Sequence, residues 1–296
     1  MSGKVFWSPG KSLWISGMYL GGVLGIASAF SREAFLLFLF STGLTILGGH
    51  SLGMHRRLIH NSFECPLWLE YFLVYLGVLV GMAGPFGMIR THDMRDWAQR
   101  QRQCHDYFAH RRSFFTDWFW QLHCSVRLEY EPEFQPETRI AQDRFYWFLE
   151  RTWMWQQLPW ASVLFYFGGI SWVLWGICLR VAIINTGHWL IGHFAHNEGQ
   201  RYWHVEGAAV QGYNIPFCGL ITMGECWHNN HHAFPGSARL GLYRNQLDPG
   251  WYTLRVFEWF GLAWNLQQPG DLPHRAELKA IAEPKPCCIK ALLKLA

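Results

Sequence analysis

The sequence is 296 residues long, with 50% hydrophobic, 17% aromatic and only 16% charged residues. A soluble domain carries roughly 25% charged residues, so the composition argues against a water-soluble enzyme. The formal charge of +4 calls for no nucleic-acid partner, and the eight scattered cysteines make neither a zinc-type CxxC pair nor a disulfide framework.

In chain order, Leu13 to Phe30 and Ala34 to Gly49 carry no charge. They predict two membrane helices, about 12–30 and 33–54, joined as a hairpin by the turn Ser31-Arg32-Glu33. His55-Arg56-Arg57 follows directly. Residues 67–89 hold only Glu70 and break at Gly84-Pro85, which suits an interfacial or partly embedded helix. Residues 90–156 are rich in Arg, Gln, Asp and His and face solvent. A second apolar hairpin, about 158–170 and 172–193, turns near Gly168-Gly169. Residues 197–296 are mixed and form a second solvent-facing segment. The 18 tryptophans fit bilayer interfaces. No internal repeat is visible, so residues 1–296 read as one domain. The first apolar run shows no cleavage pattern after it and reads as a retained anchor. Cys287-Cys288, flanked by lysines, is a candidate for lipidation.

Orientation follows from Arg and Lys. Arg90, Arg95, Arg100, Arg102, Arg111 and Arg112 crowd residues 90–112, whereas the two hairpin turns hold one arginine between them. Both termini and both polar segments are therefore expected in the cytoplasm, with every histidine cluster on the same side. The expected fold is all-α and integral to the membrane. It has four transmembrane helices in two hairpins, an interfacial helix, and a cytoplasmic helical cap carrying a metal site.

Fifteen histidines dominate the chemistry. Neutral imidazole suits iron, copper, zinc and nickel. His228, His231 and His232 stand at i, i+3 and i+4, which on a helix share one face. Glu225, three residues earlier, is placed to orient a ligand from behind, and Cys226 reads as a packing residue. His55 and His60 are five apart, about 140° on an ideal α-helix, so both face one centre only if the helix ends between them. His92 and Asp96 are i, i+4; a carboxylate beside an imidazole suits iron or manganese. His105 and His110 repeat the five-residue spacing in a polar stretch. Near the end of the last span His188 is the preferred ligand, with Asn185 one turn back to hold a metal-bound water. His193 and His196 are its alternatives. His50 and His123 read as structural.

These residues resemble the histidine boxes of integral-membrane fatty acid desaturases, most closely the bacterial delta-9 type. His55-Arg-Arg-Leu-Ile-His60 matches the first box, HxxxxH. His228-Asn-Asn-His231-His232 matches the third, HxxHH. Asn185 and His188 resemble the extra ligand element of the last span, and Asn214 stands where the family often has asparagine. The likeness covers most of residues 35–265. The second box departs: His92-Asp93-Met94-Arg95-Asp96 stands where the family has HxxHH. The resemblance implies two irons, an acyl substrate on CoA, acyl carrier protein or lipid, and oxygen-dependent insertion of a cis double bond. No nucleotide or flavin fingerprint is visible. Electrons would then come from a ferredoxin or a cytochrome b5-like protein, in a bacterial inner membrane. The alternatives are a histidine-rich diiron hydroxylase or acetylenase, a membrane haem-b electron carrier, and a non-catalytic metal-binding scaffold.

Overall fold

A computed structural model describes the backbone of residues 1–285 and the side chains of residues 1–281. Cys287-Cys288 lies outside the described residues. The chain is mostly helical. It departs from an all-α fold in two small antiparallel sheets, each of two strands. Strand β1 (Gly3–Trp7) pairs with β2 (Cys124–Leu128), with Gly3 opposite Leu128 and Trp7 opposite Cys124. Strand β3 (Arg201–Val205) pairs with β4 (Leu278–Lys285). Strands of five to eight residues leave no periodic signal strong enough to read in advance.

Helix α1 (Pro9–Ser28) has 20 residues, roughly 30 Å of rise. Helix α2 (Arg32–Ile59) has 28 residues and a mean hydropathy of 1.6. Its start is capped by the Ser31 hydroxyl, which accepts from the Ala34 amide at 3.1 Å. Only 28% of its apolar window is buried, so α2 is not the wrapped core helix of a soluble protein. Phe35, Leu36, Leu39 and Phe40 point outward, and an apolar surface of this kind requires lipid or a partner. The run α7 (Gln157–Ala195) has 39 residues and a mean hydropathy of 1.8. It is interrupted at Gly169, whose φ of 64° lies in the left-handed region open to glycine. The two limbs fold back there, so that Leu164 packs beside Gly176. The second limb lies on α1, where Gly21, Gly22 and Gly25 leave room for Cys178, Leu179 and Leu174. Trp175 fastens this contact by donating to the carbonyls of Gly25 and Ala29 at 3.0 and 3.1 Å.

The C-terminal half of α2, Thr45–Ile59, is a π-helix, with i→i+5 bonding in place of i→i+4. It continues past the expected end near residue 54. Against it packs α3 (Leu67–Leu79), 13 residues long and roughly 20 Å, short of the roughly 30 Å hydrocarbon core. The approach is close enough that a Cβ at Gly49 or Gly53 would run into the α3 backbone at Leu76 or Leu73. The chain then breaks before α4 (Pro85–Arg100) begins. The start of α4 is held by Glu150 on α6 (Arg144–Thr152), whose carboxylate accepts from the Phe86 and Gly87 amides at 2.9 and 3.1 Å. Helix α5 (Phe114–His123) precedes β2.

The C-terminal segment is tied to α2 from below. Arg56, 1% exposed, bonds Asp248 at 2.8 Å and the Ala238 carbonyl at 2.9 Å. Asp248 also caps α9 (Pro249–Trp259) through the Trp251 amide. This pair carries the loop before it, and with it the short helix α8 (His228–Ala233), to the end of α2.

Candidate metal centre

Four elements meet at one place: α2, α4, the second limb of α7, and α8. Each delivers histidine. His55 and His60 come from the end of α2, His92 from α4 and His231 from α8, and one ligand atom from each lies within 4.8 Å of the others. The ring centroids of His55 and His60 are 4.8 Å apart, and those of His55 and His231 are 4.6 Å apart. The Nε2 atoms of His60 and His92 are 3.2 Å apart. The π-helix explains how two histidines five apart face one centre. The His60 amide donates to the His55 carbonyl at 3.1 Å, so residue i+5 sits above residue i. The helix need not end between them, and the 140° estimate for an α-helix does not apply.

A second cluster gathers His196, at the end of α7, with His228 and His232. The Nε2 of His228 is 2.9 Å from that of His196 and 3.1 Å from that of His232. The i, i+3, i+4 triplet therefore does not converge on one volume. His231 turns to the first cluster, while His228 and His232 turn to the second. The His228 and His231 rings are 5.7 Å apart, so α8 joins the two clusters.

The other expected site residues fall into distinct places. Asp96, one turn beyond His92 on α4, bonds Arg100 at 2.9 Å. Its carboxyl is held well below the usual range: burial opposes ionisation, but the nearby His92, His232, Arg100 and His60 outweigh it. Glu225 stands behind His55, not His228. Its carboxylate meets His55 Nδ1 at 2.6 Å and the Ser51 hydroxyl at 2.6 Å. Burial resists its charge, yet His55 and Arg56 bring its pKa down to about 2. His188 lies outside both clusters, its ring 5.1 Å from that of His50. Asn185 spends its amide on the Val80 and Val181 carbonyls. His105 caps a short helix by accepting from the Tyr107 amide. His110 and His193 both donate to Asp117, at 2.9 and 2.8 Å, and Trp189 adds a third donor at 2.8 Å. His110 also stacks on His196, with centroids 5.3 Å apart and rings 1° from parallel. Cys226 packs in a small apolar cluster with Trp227 and Leu240. Asn214, fully buried, accepts from the Asn229 amide and donates to Asn230, which fixes the start of α8.

The donor set fits transition-metal ions. Burial is the leading cause that holds His60, His196, His228 and His231 well below the usual histidine range, and it brings His232 down to about 4. The rings are thus neutral and able to ligate. A carbonyl only accepts, so His196 Nδ1, 2.7 Å from the Gly192 carbonyl, carries the proton and its Nε2 is a lone pair. Three converging Nε2 atoms cannot all hydrogen-bond to one another. Two ligands about 2.1 Å from one ion at a right angle lie about 3 Å apart, which is the spacing found.

No protein-family profile matches the sequence. Curated relatives do. The chain is 32% identical over 263 residues to the sn-1 stearoyl-lipid 9-desaturase of Anabaena variabilis, covering 87% of this chain and 93% of that protein. It is 33% identical over 233 residues to delta-9 acyl-lipid desaturase 1 of Arabidopsis thaliana, covering 77% and 73%. It is 30% identical over 266 residues to an acyl-CoA 5-desaturase of Anemone leveillei, covering 88% and 80%. The chain belongs to the fatty acyl desaturases.

Within this desaturase His196, expected as an alternative to His188, joins the second cluster, and His188 does not. The only sequence signal for His196 is its place at the very end of the last apolar helix, level with the other clusters. The structural role of Asp117 also had no sequence signal, because its three partners are 7, 72 and 76 residues away.

Proposed function

We propose that this oxidoreductase desaturates a fatty acyl chain at two iron ions held by the two histidine clusters. His55, His60, His92 and His231 would hold one ion. His196, His228 and His232 would hold the other, with Asp96 as a further oxygen ligand. The observation that carries this reading is the seven imidazoles gathered in two groups bridged by α8. When bound, the iron pair would reduce dioxygen with two external electrons and supply the oxidant that removes hydrogen from two adjacent methylenes.

The chain's own residues prepare that chemistry. Glu225 accepts the Nδ1 proton of His55 and so presents its Nε2. The Gly192 carbonyl does the same for His196. A cavity of about 640 Å³, with Trp14, Phe108, Trp153 and Met154 among its walls, is the size of a small-molecule site and would hold the acyl chain. Asn185, His188 and Trp189 also line it, and His188 packs on His50, whose ring stacks on that of His55 in the first cluster at 6.4 Å. The Met88, Thr91 and Arg95 stripe of α4 lines the cavity, while His92 and Asp96 on its adjoining stripe face the clusters. Helix α4 therefore borders the cavity on one stripe and the clusters on the next.

Four crossings, by α1, α2 and the two limbs of α7, would leave both clusters and both termini on the cytoplasmic side of a bacterial inner membrane. The arginines of residues 90–112 support that orientation. Electrons would come from a separate ferredoxin or cytochrome b5-like donor. Expression in a host lacking unsaturated fatty acids, followed by fatty-acid profiling and iron analysis, tests the reading. A new alkene and two irons per chain are expected, both reduced in His231→Ala. A hydroxylated product with no alkene, or an iron-free active protein, would overturn it.

A further inference from the structure

The cavity carries a charge that nothing inside it balances. Arg95 lines it, and its Nε has no hydrogen-bond partner. The carboxylates of Asp96 and Asp117 lie near enough to favour its charge, but neither bonds it. Asp96 is bonded to Arg100, and Asp117 accepts from His110, His193 and Trp189. Lys11 lines the same cavity and donates only to the backbone carbonyls of Gln121 and Cys124, which satisfy its hydrogens but not its charge. The single acidic residue in the lining is Glu131. It is bonded to Arg90 at 3.0 Å. The lining thus holds four cations, Lys11, Arg90, Arg95 and Arg127, against this one carboxylate. Isolated buried charge is costly by several kcal/mol per ion, and a guanidinium does not shed its proton to escape that cost.

A cavity built only for a hydrocarbon tail has no use for such charge. We propose that Arg95, supported by Lys11, binds a carboxylate carried by the acyl substrate inside the cavity. A guanidinium accepts a carboxylate in a planar two-bond fork, and the apolar walls take the methylene chain. Two substrates present this chemistry. One is a free fatty acid entering carboxylate first. The other is an acyl group that keeps its ester outside and carries a second carboxylate at its far end. The inference rests on the cavity being the acyl site of the desaturation proposed above. It departs from that reading in assigning an anionic group to the part of the substrate enclosed by the protein.

The test uses the full chain in lipid nanodiscs and three diazirine-tagged chains: palmitate, 1-monopalmitoylglycerol, and the glycerol monoester of hexadecanedioic acid. Crosslinks to cavity peptides are read by mass spectrometry as a function of ligand concentration. At least one carboxylate-bearing chain is expected to bind roughly tenfold to a hundredfold more tightly than neutral monopalmitoylglycerol, the advantage of a hydrogen bond to a charged group. Preference for palmitate identifies the free acid, and preference for the diacid monoester identifies the far-end carboxylate. In Arg95→Gln the advantage should vanish while the neutral chain still crosslinks; Arg95→Lys should keep part of it. Equal binding of all three chains by the unaltered protein overturns the proposal without needing any variant. Crosslinking requires no oxygen, electrons or turnover. Its failure leaves the desaturation reading intact, and absence of alkene product leaves the carboxylate site intact.

Discussion

His196 and His228 meet nitrogen to nitrogen at 2.9 Å across 32 residues of sequence. The Nδ1 proton of His196 is committed to the Gly192 carbonyl, so the contact presents a lone pair where a metal would bind. His188, two turns earlier on the same helix, packs on His50 and touches neither cluster. His196→Ala should therefore remove one of two irons and abolish product. His188→Ala should retain both irons, with any defect appearing in the position or yield of the double bond. Iron per chain by mass spectrometry beside fatty-acid profiling separates them. Loss of iron only in His188→Ala would reverse the assignment.

Glu225 meets His55 at 2.6 Å and gives that ring one tautomer. Partners of this kind typically contribute 10–100-fold to metal affinity. Glu225→Ala is expected to weaken iron retention by about that factor in a chelator challenge, while Glu225→Gln, which can still accept the Nδ1 proton, loses less. Equal losses in the two variants would mean that charge, not orientation, is what Glu225 supplies.

The histidines of the first and third boxes stand out in the sequence because they cluster on short segments, and the apolar helices because their runs are long and uncharged. What was not legible has a physical cause in each case. Spacing of five became one face only through the π-helical turn from Thr45 to Ile59, and α-helical periodicity cannot anticipate a change of pitch. The triplet on α8 divides between two centres because its neighbours approach from opposite sides. Those neighbours, the ends of α2 and α7, are joined to it only by tertiary contacts such as Arg56 to Asp248.

The π-helical half of α2 also depends on the closeness of α3. A Cβ at Gly53 would strike the Leu73 carbonyl, and backbone cannot yield as a side chain can. Gly53→Ala should destabilise the protein by about 1–3 kcal/mol, the usual range for overpacking. Thermal melting in detergent reads this as a lowered midpoint. Gly17→Ala, where a Cβ meets nothing within 4 Å, is the control and should leave the midpoint unchanged or slightly raised.

The buried imidazoles fix a pH dependence for the iron-free chain. His232 titrates near 4 in the folded protein and near 6.5 when unfolded. Between those values the unfolded chain binds more protons, so stability rises with pH. The contribution is complete above pH 6.5 and lost as pH falls through 4. His60, His196, His228 and His231 shift in the same direction and steepen the fall. Glu225, near 2 folded against about 4.3 unfolded, adds a further loss below pH 4.3. Melting of the iron-free protein between pH 4 and 8 should show its midpoint dropping below pH 6.5; a flat profile would mean that the rings are hydrated, not buried.

Asp96 is where this chain differs most from the HxxHH pattern, and the geometry gives the difference a definite consequence. One carboxylate oxygen is held by Arg100 at 2.9 Å, and although burial opposes ionisation, that guanidinium is among the neighbours that keep the carboxyl's pKa well below its usual range. The second cluster has three imidazoles where the first has four, so an anionic oxygen is the natural fourth donor. It also lowers the net charge of a centre that is otherwise all neutral nitrogen. Asp96→Ala should cost the second ion and leave the first, giving about one iron per chain. Asp96→His restores a nitrogen donor at the same turn of α4 and should recover the second ion. Because imidazole is neutral, the restored centre should differ from the original in reduction potential, becoming easier to reduce. Iron stoichiometry and a redox titration of the same three proteins decide the matter. Two irons retained in Asp96→Ala would show that the carboxylate serves Arg100 alone.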